Sequence, residues 1–236
     1  MKAITTFIGE LRRAFGENMK LPFAVWYSEK PAGEEVCMPH CMFEALPLIE
    51  EGKIITFSKE KLHCGGGRIY CGFNAYTPAI GKFVSGKEFY KQTPEMVDDF
   101  VGNMDIQISE KPYLNLARLD RLTGWNEIEG IVFMANPDFI SGLNAWAWYD
   151  SNEPDAVSCL WSSGCSATIC WLATENRQQG KRTFLGMFDL SVRKWVKADE
   201  MSFAIPMSRL EEMAETLPQC ALFNSPAWQG VKERCR

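Results

Sequence analysis

Two short stretches of the chain concentrate the residue types that do chemistry. The first is Cys64-Gly65-Gly66-Gly67-Arg68, followed by Cys71. Three successive glycines remove every Cβ from a turn, so the backbone can take positive φ and approach a ligand closely. A helix opening at Arg68 would aim its first N–H groups at Cys64 and favour a thiolate or a bound anion. Arg68 adds a permanent positive charge beside Gly65, Gly66 and Gly67. The segment lacks the Gly-Lys-Ser/Thr end of a P-loop and the spacing of a dinucleotide fingerprint. A tight strand-to-helix turn that needs glycine for geometry alone reads equally well.

The second stretch is Cys37-Met38-Pro39-His40-Cys41. Its spacing matches no standard zinc finger. Cys37 with Cys41, and Cys64 with Cys71, would nevertheless make two thiol pairs suited to zinc or an iron–sulfur cluster. The chain holds two histidines, His40 and His63, each beside a cysteine. A further segment, Ser162 to Cys170, sets Cys165 among small residues between Trp161 and Trp171, with Trp146, Trp148 and Tyr149 upstream. These aromatics suit the wall of a pocket for a flat ligand, or simply a core. Neither histidine sits in a GxSxG context, so no Ser-His-Asp triad is proposed. Asp98-Asp99 and Glu50-Glu51 read as solvated faces.

Nine cysteines leave at least one thiol unpaired in any disulfide scheme. Thr5, Thr6, Glu10, Arg12 and Arg13 interrupt the ~7–15-residue apolar stretch that a secretory signal needs. No apolar run approaches the ~20 residues of a membrane span. The expectation is a cytoplasmic chain, not bound to membranes, whose thiols are free, metal-bound or packed as small hydrophobes. With 25 basic and 30 acidic residues the net charge is −5, which argues against a general nucleic-acid binder. Hydrophobic residues at 46% and charged residues at 23% indicate a globular core and exclude disorder.

The elements that must position these residues follow from periodicity. Ile4, Phe7, Ile8, Leu11 and Phe15 recur at helical spacing and predict an amphipathic first helix. Phe23 to Tyr27 reads as a buried strand, residues 31–36 as a polar turn, and Cys37 to Glu51 as a helix interrupted or shortened by Pro47. Strands are predicted at Lys53–Phe57, Tyr113–Leu119, Ile128–Ala135, Ala156–Leu160, Thr183–Phe188 and Met201–Ile205. Thr93-Pro94-Glu95 and Asn136-Pro137-Asp138 are helix starts. The first leads an apolar stripe of Met96, Val97, Phe100, Val101 and Met104. Ser208 to Glu211 matches a capping box, with Leu210, Met213, Ala214 and Leu217 buried behind it. Two successive strands joined by a Gly124-containing turn argue against a purely parallel sheet. The expected class is α+β (α/β-like), a single mixed β-sheet with helices packed on it.

Taken in order, the "PFAV" strand, the cysteine-bearing stretch ending in EEGK, "TFSKEKLHCGGGRIYCGF", "SSGCSATICWL" and "FLGMFDL…DEMSFAIPMSRLEEM" resemble the uncharacterised ArCR family, domain of unknown function 169. The resemblance implies one ArCR-like domain over residues 1–236, with a C-terminal extension from about residue 218. It also implies that the family's cysteine positions fall on Cys41, Cys64 and Cys165. No activity comes with the family, so it speaks to fold more than function. Three readings stand. In the first, Cys41, Cys64 and Cys165, with Cys37 or Cys71 as the fourth, ligate zinc or an iron–sulfur cluster. In the second, Gly65–Gly67 and Arg68 bind a small anionic molecule, covered by the Trp146–Trp171 region. In the third, Cys64 is the nucleophile of a cysteine-dependent enzyme, with no general base identified.

Overall fold

The computed structural model describes residues 1–161 and 164–235. Ser162 and Ser163, part of the third cysteine segment, lie outside the described residues. Eight strands form one mixed sheet: β1 (Phe23–Ser28), β2 (Glu34–Glu35), β3 (Ile54–Ser58), β4 (Tyr113–Arg118), β5 (Ile128–Ala135), β6 (Val157–Ser158), β7 (Thr183–Gly186) and β8 (Met201–Pro206). Their order is β2-β3-β4-β1-β5-β8-β7-β6. The two edge pairs, β2 with β3 and β6 with β7, are parallel, and the other pairs are antiparallel.

The helices are α1 (Ile4–Phe15), α2 (Leu46–Glu50), α3 (Gly65–Tyr70), α4 (Pro78–Gly86), α5 (Pro94–Gly102) and α6 (Pro137–Trp148). They continue with α7 (Trp171–Arg177), α8 (Leu190–Arg193), α9 (Met207–Thr216), α10 (Ala221–Asn224) and α11 (Pro226–Lys232). The chain is therefore an α+β protein built on one sheet.

Successive strand residues point to opposite faces, and this splits the apolar residues into two cores. Phe23, Val25, Tyr27, Val132 and Met134 face one core with Cys71, Cys165, Cys170 and Trp171. Ala24, Ile131, Phe133, Phe203 and Ile205 face the other, covered by α1, α6 and α9. Every predicted apolar position of α1 is buried. Thr93 and Asn136 cap α5 and α6 through their side-chain oxygens, as their spacing predicts.

Several expectations are corrected. No helix runs from Cys37: Pro39 leaves the backbone without a donor there, a 3-10 turn forms at Met42–Ala45, and Pro47 occupies the first turn of α2 rather than kinking a longer helix. β4 and β5 are not neighbours, because the fully apolar start of β1 pairs with both. Residues 34–35, read within a turn, form an edge strand. Ser208 does not cap α9, which begins at Met207. Its hydroxyl donates to the Gly180 carbonyl, 2.7 Å, and its N–H donates to Asn176 Oδ1, 3.0 Å. Met96 is 45% exposed, off the buried stripe of α5. No described helix is long and apolar enough to cross a membrane.

Candidate functional site

The parallel pairing of β2 with β3 brings the two cysteine stretches together. Val36 N–H donates to the Thr56 carbonyl, and a parallel bridge joins Met38 to Leu62. Cys37 thus runs alongside His63, with Cys37 Sγ 3.4 Å from His63 Nε2 and both side chains exposed. With the ring proton on Nδ1, the thiol donates and Nε2 accepts. The other histidine is engaged elsewhere: His40 Nδ1 lies 3.3 Å from Glu44 and its ring stacks on Trp195.

Cys41 starts the 3-10 turn as part of a capping box in which Glu44 Oε1 accepts its backbone N–H at 2.7 Å. Burial pushes the Cys41 thiol up to about 12, and the nearby Cys64, Glu44 and Asp189 reinforce the rise against a backbone N–H at Phe43.

Cys64 caps α3. Its Sγ accepts the Gly67 N–H at 3.3 Å. A Cβ at Gly67 would stand 3.3 Å from Cys64 Cβ and 3.5 Å from Sγ, so glycine is what lets that turn close. The helix opens at Gly65, not at Arg68, because the Cys64 side chain already supplies the cap. Arg68 falls in the last turn, where its Nε donates to the Leu62 carbonyl. Arg68 has no carboxylate partner among the described residues. Gly65 is exposed, Gly66 half-buried and Gly67 buried.

Cys71 is fully buried with Sγ 3.6 Å from Met42 Sδ, and burial pushes its thiol well up, with Cys64, Cys170 and Cys41 adding to the rise. Cys165 precedes, and Cys170 ends, a π-helical stretch at Ser166–Cys170 that runs into α7. Cys170 is pushed up to about 12 by burial, against the opposing charge of Arg177 and a bond from Thr174. Tyr70 is raised by burial, reinforced by Cys165, Cys170, Tyr76 and Asp189. Cys41, Cys64, Cys71 and Cys170 therefore share one neighbourhood on one face of the sheet, and Cys165 joins it through Tyr70.

That neighbourhood is not a formed metal centre. Among the described residues, no three His, Cys, Asp or Glu side chains group as a metal site.

The aromatic wall is half-formed. Phe100 packs edge-on to Trp161 and Trp171, centroids 5.0 and 6.5 Å apart, and Lys91 Nζ sits 4.7 Å from the Trp161 ring centroid. Trp146 is on the other side of the sheet, in the opposite core, because α6 covers that face. The pairing of Cys37 with His63 was missed in the sequence. The one usable signal was that each histidine adjoins a cysteine. The two-residue β2 that aligns the segments has no periodicity to read.

An α+β sheet with a thiol-rich face and a glycine turn defines the class. The chain belongs to the uncharacterised ArCR family, whose model matches residues 15–216. No curated protein and no solved structure matches the chain.

Proposed function

We propose that this chain is a cysteine-dependent protein acting on a small anionic molecule, with Cys37 as the reactive thiol and His63 as its base. The observation that supports the reading is the 3.4 Å contact between Cys37 Sγ and His63 Nε2 at an exposed position. A thiol and an imidazole in hydrogen-bond reach are the parts that nucleophilic catalysis needs. The proton passes from Cys37 Sγ to His63 Nε2, and the thiolate attacks an electrophilic carbon. The leaving group departs with the bonding pair and takes the proton back from His63. In this reading the nucleophile is Cys37, which has an imidazole within reach, rather than Cys64. Arg68, joined to the same strand junction through Leu62, supplies the preference for an anion.

The test is alkylation with site mapping by mass spectrometry. Cys37 is expected to react fastest, well ahead of Cys159, which is also exposed. His63→Gln should slow Cys37 by about tenfold while leaving Cys159 unchanged. Arg68→Ala should lower the rate with iodoacetate relative to iodoacetamide. The reading fails if Cys37 reacts no faster than Cys159, or if His63→Gln leaves its rate unchanged. Stoichiometric zinc or iron in the purified protein, with the thiols shielded from alkylation, would restore the metal reading in its place.

A further inference from the structure

The register of the sheet separates its two ends. Ser28 of β1 and Ser58 of β3 both pair with Tyr113 of β4, and the thiol site lies beyond this end. At the opposite end, where Phe23 pairs with Arg118, a cleft of about 440 Å³ opens between α1, α2 and the sheet. Its floor is apolar: Met19, Phe23, Leu46, Ile49 and Met134 line it, each of them buried. The volume falls in the ~300–1,000 Å³ range of small-molecule sites.

The rim carries both signs of charge, with one cation in excess. Lys20, Lys197 and Arg118 each have a carboxylate: Lys20 pairs with Glu50 and Glu200, Lys197 with Glu200 at 3.6 Å, and Arg118 with Asp120 at 2.7 Å. Arg12, in the last turn of α1, is the fourth cation lining the cleft, is exposed, and has no carboxylate partner among the described residues. Four cations against the carboxylates Glu50, Asp120 and Glu200 leave one positive charge unmatched. The internal pairs engage Lys20 and Arg118 with carboxylates, which leaves Arg12 as the cation open to an incoming anion, with the exposed Lys197 beside the same rim.

We propose that this cleft binds a small amphipathic anion, an apolar body of medium length ending in one carboxylate-type group, with the body on the Phe23–Met134 floor and the anion at Arg12 and Lys197. The site is independent of the thiol pair and stands whether or not the cysteine reading does.

The test is calorimetric titration of the full chain with decanoate, using decyltrimethylammonium and acetate as controls. Decanoate should bind with one-to-one stoichiometry, the cation of equal chain length should not compete, and acetate should bind far more weakly. Arg12→Gln with Lys197→Gln changes only exposed rim positions and should weaken decanoate by about tenfold without moving the thermal midpoint of the free protein. Cys37→Ser should leave decanoate binding unchanged. The proposal is overturned if decanoate does not bind at millimolar concentration or if decyltrimethylammonium binds equally well. It is also overturned if the rim variant binds as the parent does, or if Cys37→Ser weakens binding.

Discussion

Nine thiols in one chain behave differently because their surroundings differ. Cys37 stands in water with an imidazole against it, whereas Cys71 and Cys170 are enclosed by apolar side chains that oppose a charge. This difference sets a pH dependence with a definite sign. The folded thiols of Cys41 and Cys170 are pushed up to about 12 by burial. The same groups in the unfolded chain ionise near ~8.5. Above that value the unfolded chain releases protons that the folded chain keeps, so stability is complete below about pH 8.5 and is lost as pH rises toward 12. Urea midpoints measured along that range should fall steadily. Cys170→Ala should flatten the slope by up to about 1.4 kcal/mol per pH unit, since one group's differential protonation sets that limit. A parent midpoint that stays level up to pH 11 would mean these thiols are not enclosed as described.

At the level of elements, the π-helical stretch depends on what it rests on. Gly186, the last residue of β7, lies under it, and a Cβ there would stand 2.4 Å from Ala167 Cβ and 2.8 Å from Ser202 Oγ. Neither neighbour is the end of a long side chain, so neither can swing away. Gly186→Ala should destabilise the fold by about 1–3 kcal/mol, read from urea unfolding, because overpacking a close contact forces backbone movement. An unchanged midpoint would show the segment to be loosely held. The same contrast explains what was legible in the sequence. Helix α1 carried an unbroken helical period of apolar residues and strand β5 an apolar run from Ile131 to Ala135, and both were readable to within a residue. Thr93 and Asn136 announced helix starts through chemistry that acts locally. Residues 34–35, the start of α2 and the environment of Ser208 were not readable, because each is decided by a distant partner: Thr56, the apolar face under Leu46, and Gly180. The thiol neighbourhood was partly readable, since the residue types were visible. The meeting of Cys37 with His63 rests on the Met38–Leu62 bridge across 24 residues of chain, which no local pattern encodes.

For the whole molecule, the second core raises the question of whether the residues beyond the family match belong to the fold. The match ends at residue 216, yet α10 and α11 lie against α1 and α6. Trp228 shows how tightly. Its indole N–H donates to the Ala14 carbonyl at 2.8 Å, its ring meets Phe15 edge-on at 5.5 Å, and a Cβ on Gly142 would come within 2.4 Å of it. Gly142 is therefore the notch in α6 that receives the indole, and Leu222 and Cys235 close the same surface. Removing the ring would leave a cavity beside Phe15 and Phe139, which stack with centroids 4.1 Å apart. Trp228→Ala is expected to cost about 3–5 kcal/mol, the range for deleting a buried aromatic side chain. Truncation after residue 217 should do at least as much, by uncovering the whole face of α1 and α6. Both would be read by chemical denaturation with the thiol site as a reporter: Cys37 alkylation in the folded Trp228→Ala protein should keep its parent rate, because the sheet lies between the two cores. If truncation left the denaturation midpoint unmoved, residues 218–235 would be an appendage on a fold that is finished without them.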